Sequence, residues 1–386
     1  MKHISVLFVF IVVFCIQSLK AQIMDTIPVI IHIIHNGEPI GTGTNLSQQQ
    51  IDSQLDVLNE DYRMMNADLI NTPAPFLPLA ADIGLNFAKA TVDPNGNVLS
   101  IAGIERINRN TMSWTSPPYS MSYIDNTIKP QTIWNPYQYL NIWVVSLSGG
   151  MMGYSTLPAN SGLSCMPTGT ADPLRDGVVI HYMAFGRTGV ATAPFDKGRS
   201  ATFEIGRWLG LRSYSAQSSC DDCVSDTPPT SASHAGCPTF PHMGSSCSVG
   251  PNGDMFMNFM SYSDDACKSL FTQGQKARID STLTNGTFQS ALRLSTTYQP
   301  AGIEENNGLS ASVYPNPAKD RITIKLPGAI TGTVAVYSAI GTKLLEMKIE
   351  NTAQAEILLK DISSGVYMVQ ITAEKGSCSR RVVVSR

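Results

Sequence analysis

The chain changes character once, in the polar stretch from Gln299 to Gly308, and that change limits the fold more than any other feature. Before it, strand-like and helix-like patterns mix up to about residue 290; after it, only short alternating strands remain. The stretch itself carries Gly and Pro and no periodicity, the composition of a linker. A mixed α/β part followed by a small all-β part is therefore expected, with a linker at 297–308 and the β part at 309–386. With 386 residues, 43% of them hydrophobic and 15% charged, the chain has enough apolar material for real cores. Lys plus Arg total 27 and Asp plus Glu 30, a net charge of −3 without the basic excess of a nucleic-acid binder.

The start of the chain, MKHISVLFVFIVVFCIQSLKA, has a basic residue at Lys2, an apolar run from Ile4 to Ile16 and a small residue at Ala21. This is the layout of a secretory signal peptide over residues 1–21. The run is about 13 residues, short of the ~20 that span a bilayer, and no later stretch is long and apolar enough to span. An exported protein with no transmembrane segment in its mature form follows. Cleavage removes Cys15; five of the remaining seven cysteines fall between Cys220 and Cys267. In an exported chain such a cluster reads as disulfides stapling an irregular segment. A zinc knot around Cys220 and Cys223 is the weaker reading, because no second C-x-x-C accompanies it.

Thr26 to His35 is rich in β-branched residues and reads as a strand. Ser47 with Gln50 reads as a capping box opening a helix from Gln48 to about Met64, with Ile51, Leu55, Leu58 and Tyr62 on its inward face. Leu140–Leu147 and Val178–Met183 read as further strands, about Arg199–Leu211 and Gln273–Leu283 as helices, and Ser213 to about Asp254 as a loop-rich region. Beyond the linker, Arg321–Leu326, Thr333–Tyr337, Glu356–Leu359, Val366–Ile371 and Arg381–Val384 alternate cleanly, with turns at Gly341 and Ser364-Gly365, which suits an antiparallel sandwich.

One segment, TFEIGRWLGLRS from Thr202 to Ser213, has the spacing of H-E-x-x-H-x-x-G-x-x-H, the metzincin zinc motif. That chemistry needs two histidines at i and i+4 on one helix face, a glycine to end the helix, a third histidine returning to the ion, and a glutamate to polarise the metal-bound water. Here Glu204 and Gly210 remain, while Phe203, Arg207 and Ser213 stand where the three histidines should be. Phe203 would fill the vacated pocket. A fixed cation such as Arg207 repels a divalent metal and would instead pair with a carboxylate, Glu204 being one candidate. Of the other histidines, His32 and His35 lie three apart on a strand and so on opposite faces. His181 is isolated, and His234 and His242 lie eight apart in the loop region, near no fitting helix.

The surroundings resemble the pappalysin (cytophagalysin) metallopeptidase family from the first strand to about Arg278. The blocks IPVIIHIIHNG, LDVLNEDYR, LNIWVVSLSGGMMGYSTLP, DGVVIHYMAFG, GRSATFEIGRWLGL, VSDTPP and NFMSYSDDACKSLFTQGQKAR carry the resemblance, in order. It implies an α+β metzincin-like domain at 22–296, with a mixed sheet, an active-site helix and a Cys-rich loop region ending in a Met-turn at Met260. Tyr262 then matches the tyrosine that assists the transition state in relatives; core packing is the other reading of Met260 and Tyr262. The resemblance also implies bridges Cys237–Cys267 and Cys247 with Cys220 or Cys223, the remaining one reaching Cys165. It implies zinc, and calcium near the DTP segment, where Asp222 and Thr227 would be ligands with Asp226 adjacent; a solvated acidic turn is the alternative.

The C-terminal pattern, VYPNPA from Val313 followed by alternating strands, resembles the type A sorting domain of the type IX secretion system. This implies passage through the periplasm to the cell surface or medium, with the secretion machinery as a partner. Three functions are consistent with these readings: a secreted pseudopeptidase that binds peptide or protein without cutting it, an active secreted zinc metalloendopeptidase, and a surface-displayed interaction scaffold.

Overall fold

The computed structural model describes residues 25–385 apart from 167–169, 214–219, 231–233, 245–246, 248–249, 299–310, 339–342 and 374–375. The expected signal peptide, the turn at Gly341 and most of the expected linker lie outside the described residues. Contacts divide the chain into two compact units, Met1–Tyr298 and Gln299–Arg386. Thr297, placed in the linker by composition, belongs to the first unit: its carbonyl accepts from the Thr91 amide and its hydroxyl donates to the Gln138 carbonyl.

The first unit is built on β1 (Asp25–His35), whose eight residues from Ile27 to Ile34 are all buried. One edge pairs in parallel with β2 (Leu85–Lys89) and then β3 (Ile104–Asn108); the other pairs in parallel with β4 (Leu140–Val145). β6 (Val178–His181) continues beside β4, and β5 (Gly153–Ser155) closes that edge antiparallel. A strand with neighbours on both edges and layers on both faces has no solvent side, so it reads as an apolar run rather than an alternation.

On one face, Ile31, Ile33, Ile142 and Ile180 meet Ile51 and Leu55 of α1 (Gln48–Tyr62) and Ile205 of α4 (Arg199–Trp208). On the other, Trp143, Val145 and Val179 meet Trp114, Tyr119, Ile124 and Ile128. The last two come from a helical run in which a π turn, Ile124–Ile128, joins α2 (Met121–Tyr123) to α3 (Lys129–Thr132). α5 (Gln273–Asn285) and α6 (Gln289–Leu292) complete the unit.

Three disulfides hold its irregular part: Cys165–Cys223, Cys220–Cys247 and Cys237–Cys267.

α4 ends where its sequence dictates. Gly210 sits at φ 91°, the Leu211 amide bonds the Gly206 carbonyl and the Gly210 amide bonds the Arg207 carbonyl, both at 2.9 Å. This is a Schellman termination, in which a left-handed residue lets the last carbonyls find partners. The helix therefore stops at Trp208, short of the expected Leu211.

The second unit is one antiparallel sheet. β7 (Ser312–Tyr314) pairs with the start of the long β8 (Arg321–Ser338), β9 (Lys343–Leu358) runs along β8, and β10 (Gly365–Ala373) with β11 (Gly376–Val384) extends its later half. Two stretches expected as separate strands, Arg321–Leu326 and Thr333–Tyr337, are one strand. Pro327-Gly328 looks like a break in sequence but is absorbed where the register shifts between Lys325 and Ile330. Apolar residues from both halves of β8, Ile322, Ile324, Val334 and Val336, share one core with Val369 and Ile371, and Cys378 is buried there. The YPNPA segment has a structural task. The Asn316 side chain accepts from the Val383 amide and donates to the Arg381 carbonyl, and Ala318 bonds Val383 and Ser385. The motif thus fastens the start of the domain to its last strand.

The capping box expected at Ser47 is half formed. Ser47 accepts from the Gln50 amide, but the Gln50 side chain turns away, donating to the Phe185 carbonyl and accepting from the Val190 amide. Burial explains the choice: inside the protein the amide must satisfy groups that water cannot reach. Gln50→Leu should therefore cost more than Ser47→Ala, about 2–3 kcal/mol against about 1 kcal/mol. Equal shifts in urea midpoint would contradict this account.

Candidate functional site

α4 is set at its N-terminus by Asp265, just after the Met260 turn. One Asp265 carboxylate oxygen takes the Lys197 and Arg199 amides at 3.0 and 3.1 Å, and Arg199 donates from its guanidinium to the Asp265 carbonyl at 2.7 Å. The same guanidinium pairs with Asp68 at 2.7 Å and approaches Asp61 of α1 at 3.7 Å. Met260 is fully buried and packs beneath α4: a Cβ on Gly206 would lie 2.7 Å from its sulfur. Asn258, two residues earlier, exchanges two 2.9 Å hydrogen bonds with Gln275 of α5, which fixes the turn.

Phe203, Glu204 and Arg207, together with Tyr262, line a cleft of about 420 Å³. Phe203 is buried, its ring 5.2 Å from that of Tyr262, with the Lys268 ammonium 5.4 Å from the ring centre. Ser213 is buried and accepts a long 3.5 Å bond from the Tyr262 hydroxyl. Tyr262, 43% exposed, faces the opening. The structure brings Phe203, Glu204, Arg207, Ser213 and Tyr262 together, as the spacing requires. It also adds two residues the sequence did not flag. Ser155 of β5 donates to the Glu204 carboxylate at 3.2 Å, and buried Lys268 lines the cleft. Both arrive from chain segments whose pairing with α4 is set only by the tertiary fold.

The ion pair considered between Arg207 and Glu204 does not form. Glu204 turns inward to Ser155 and feels Arg207 only through its field. Burial raises the Glu204 carboxyl to about 7, while Arg207, Ser155 and Lys268 pull the other way. Burial likewise holds the Lys268 ammonium below its ordinary range, against the pull of Asp265.

Of the calcium candidates, Asp222 and Thr227 meet. The Thr227 hydroxyl lies 2.8 and 3.0 Å from the two Asp222 oxygens and 2.9 Å from the Val224 carbonyl. Asp226 does not join them. It spends both oxygens on the N-terminus of α5, accepting from the Thr272 hydroxyl and the Gly274 amide, each at 2.8 Å. Among the histidines, His32 is locked between Glu105 and Asn141, and His181 caps a short turn at Met183. His234 and His242, eight apart in the loop region and near no fitting helix in sequence, lie side by side with Asp254.

With this geometry in place, the likeness to known proteins is specific. The family described as Pregnancy-associated plasma protein-A matches residues 122–284, and the Secretion system C-terminal sorting domain matches residues 312–385. A solved structure of mature mirolysin from Tannerella forsythia in complex with a cleaved peptide is 38% identical, with a TM-score of 0.60, covering 70% of this chain and 96% of that one. Extracellular metalloprotease 1 of Coccidioides posadasii is 28% identical over 239 residues, 61% of this chain and 69% of that protein. An extracellular metalloprotease of Verticillium alfalfae is 38% identical over 150 residues, 38% of this chain and 49% of that protein. The chain belongs to the pappalysin metallopeptidase family and ends in a type IX sorting domain. It is a secreted or surface-displayed protein, and no helix among the described residues is long and apolar enough to cross a membrane.

Zinc is the metal that family implies, and the donors at its position do not fit it. An aromatic ring offers no lone pair, a guanidinium repels the ion, and a buried serine hydroxyl is a poor ligand beside imidazole or thiolate.

The raised Glu204 carboxyl makes a pH prediction. In the unfolded chain the group ionises near the ordinary glutamate value of 4.5, and in the fold only near 7. Between those pH values the folded state holds the extra proton, so the Glu204 contribution to stability falls as pH rises and levels off above 7. Glu204→Gln removes this term. From pH 5 to pH 8 the variant should gain on the wild type by up to about 3 kcal/mol. A wild-type-minus-variant difference that stays flat across that range, measured by denaturant unfolding, would show that Glu204 is ionised in the fold.

Proposed function

We propose that the protein is a secreted pseudopeptidase, which binds a peptide or unfolded protein in the cleft lined by α4 without hydrolysing it. The observation that carries this reading is the filling of the ligand positions: no imidazole stands at 203, 207 or 213, and the Phe203 ring packs into that space against Tyr262. Glu204 and Tyr262 are then vestiges of a general base and a transition-state helper. The cleft still suits an extended chain. One wall is the sheet-edge strand β5, whose backbone can pair with a strand laid beside it. Met121, Met151 and Met152 line the rest with unbranched, adaptable side chains. The cleaved peptide held by mirolysin points to the same use of the cleft. Asp222, Thr227 and the Val224 carbonyl supply a cluster of oxygens of the type calcium takes, which supports that part of the family resemblance.

In zinc-containing buffer the purified protein should bind a labelled unfolded peptide and leave it intact. Met152→Asp should weaken that binding about tenfold, the equivalent of 1.4 kcal/mol. Cleavage that stops on chelation would identify an active metalloendopeptidase instead, and absence of peptide binding would favour a scaffold role.

The sorting domain has its own core and its own first-to-last-strand fastening, so we infer that residues 309–386 act as a separable address. Deleting them should strand the remaining domain in the periplasm of a host with the matching secretion system, while the full chain reaches the surface or medium. Equal delivery of the two forms, followed by cell fractionation, would refute that role.

A further inference from the structure

The geometry points to a divalent-metal site of the zinc class in the Cys-rich region, held by His234, His242 and Asp254. The three residues are drawn together by the path of the chain. His242 bridges to Gly253, and the Asp254 amide bonds the His242 carbonyl at 2.7 Å. Asp254 Oδ2 then lies 3.2 Å from His234 Nε2 and 3.1 Å from His242 Nδ1. One donor atom from each of the three falls within 4.8 Å of the others. Around a tetrahedral zinc with bonds of ~2.0–2.1 Å, neighbouring donor atoms sit about 3.3 Å apart. The second such group among the described residues, Cys165, Asp221 and Cys223, has its two sulfurs committed to a disulfide.

Two further features mark a site rather than a chance cluster. His234 is 3% exposed, and its Nε2 is buried without a hydrogen-bond partner: it is close to the Asp254 carboxylate but not aligned on it. A buried imidazole nitrogen left in that state is rare, and a shared ion would satisfy it. The other nitrogen, Nδ1, lies 3.0 Å from Ser261 Oγ. With the proton on Nδ1, donated to Ser261, Nε2 presents its lone pair, which is how outer hydrogen bonds orient metal-bound histidines. Asp254 is likewise positioned by the Gly244 amide at 3.0 Å.

Access comes from the His242 side, whose side chain is 31% exposed. Two imidazoles with one carboxylate select zinc and its neighbours over calcium or magnesium, which take oxygen donors. Ser261, His234 and Asp254 also have the separations of a nucleophilic triad. That use is excluded by the complete burial of Ser261 and by the misaligned histidine–aspartate contact. The site is structural: through Ser261, between Met260 and Tyr262, it ties the Cys-rich segment to the cleft floor.

The test uses the full chain, stripped of metal and titrated with zinc chloride alone. One zinc per chain should bind and raise the melting temperature, and cobalt substituted for zinc should give a visible tetrahedral absorption band. His242→Ala, a change at a half-buried side chain that leaves the fold intact by circular dichroism, should weaken zinc binding at least about tenfold and abolish the cobalt band. No zinc uptake by the wild type, or uptake unaltered by His242→Ala, would overturn the proposal.

Discussion

The cleft depends on one buried charged junction, Arg199 with Asp265. Asp265 follows the Met260 turn, Arg199 opens α4, and Asp61 lies in α1; the guanidinium touches Asp265 and Asp68 and approaches Asp61. Each charge alone would cost several kcal/mol to bury, so removing either partner strands the other. What the junction provides is position. It fixes the helix that carries residues 203 to 208 against the turn that carries Met260 and Tyr262. None of its members is a metal ligand in the motif. The frame of a metallopeptidase can thus survive the loss of its histidines, because its geometry is set at the opposite end of α4.

The far end of that helix is secured in the same spirit. Arg278 of α5 donates twice to the Gly210 carbonyl, at 3.1 and 3.2 Å, and also to the Ser164 and Cys223 carbonyls. Gly210 itself has no room for a side chain, since a Cβ there would lie 2.5 Å from both Leu163 and Thr282. The glycine of the motif therefore has a reason to persist that has nothing to do with catalysis. The same holds for Gly206 over Met260. Retained motif residues in this chain say that the fold is kept, and they say nothing by themselves about activity.

How much of this was legible in the sequence follows from the range of each interaction. β1 was readable because burial on both faces gives an unbroken apolar run, and α1 because its inward face recurs at helical spacing. β2, β3 and β5 were not: they are short, and what makes each a strand is the neighbour it pairs with. The motif positions were fixed by local spacing on one helix and its exit turn. Lys268 and Ser155 reach the same cleft from remote segments, and no local pattern marks them. His234, His242 and Asp254 are the extreme case. They lie in a stretch with no periodicity, where disulfides and an isolated bridge fold the chain back on itself, so their spacing in sequence carries no information about their spacing in space.

The electrostatics of the cleft differ from those the metal motif would create. In the motif, a glutamate beside a divalent ion is held charged by that ion. Here two single cations, Arg207 and Lys268, stand near Glu204 and both favour its ionised form, yet burial outweighs them and its carboxyl stays protonated up to about 7. Lys268 is itself discouraged from charging by burial. Two side chains on separate tethers cannot concentrate charge as one ion at bonding distance does, and the Phe203 ring packs against Tyr262 and beside the Lys268 ammonium. A carboxyl that ionises near 7, hydrogen-bonded to Ser155, still lies in the range of a general base, so what sets this site apart from the motif is the missing imidazoles and not the charge of Glu204.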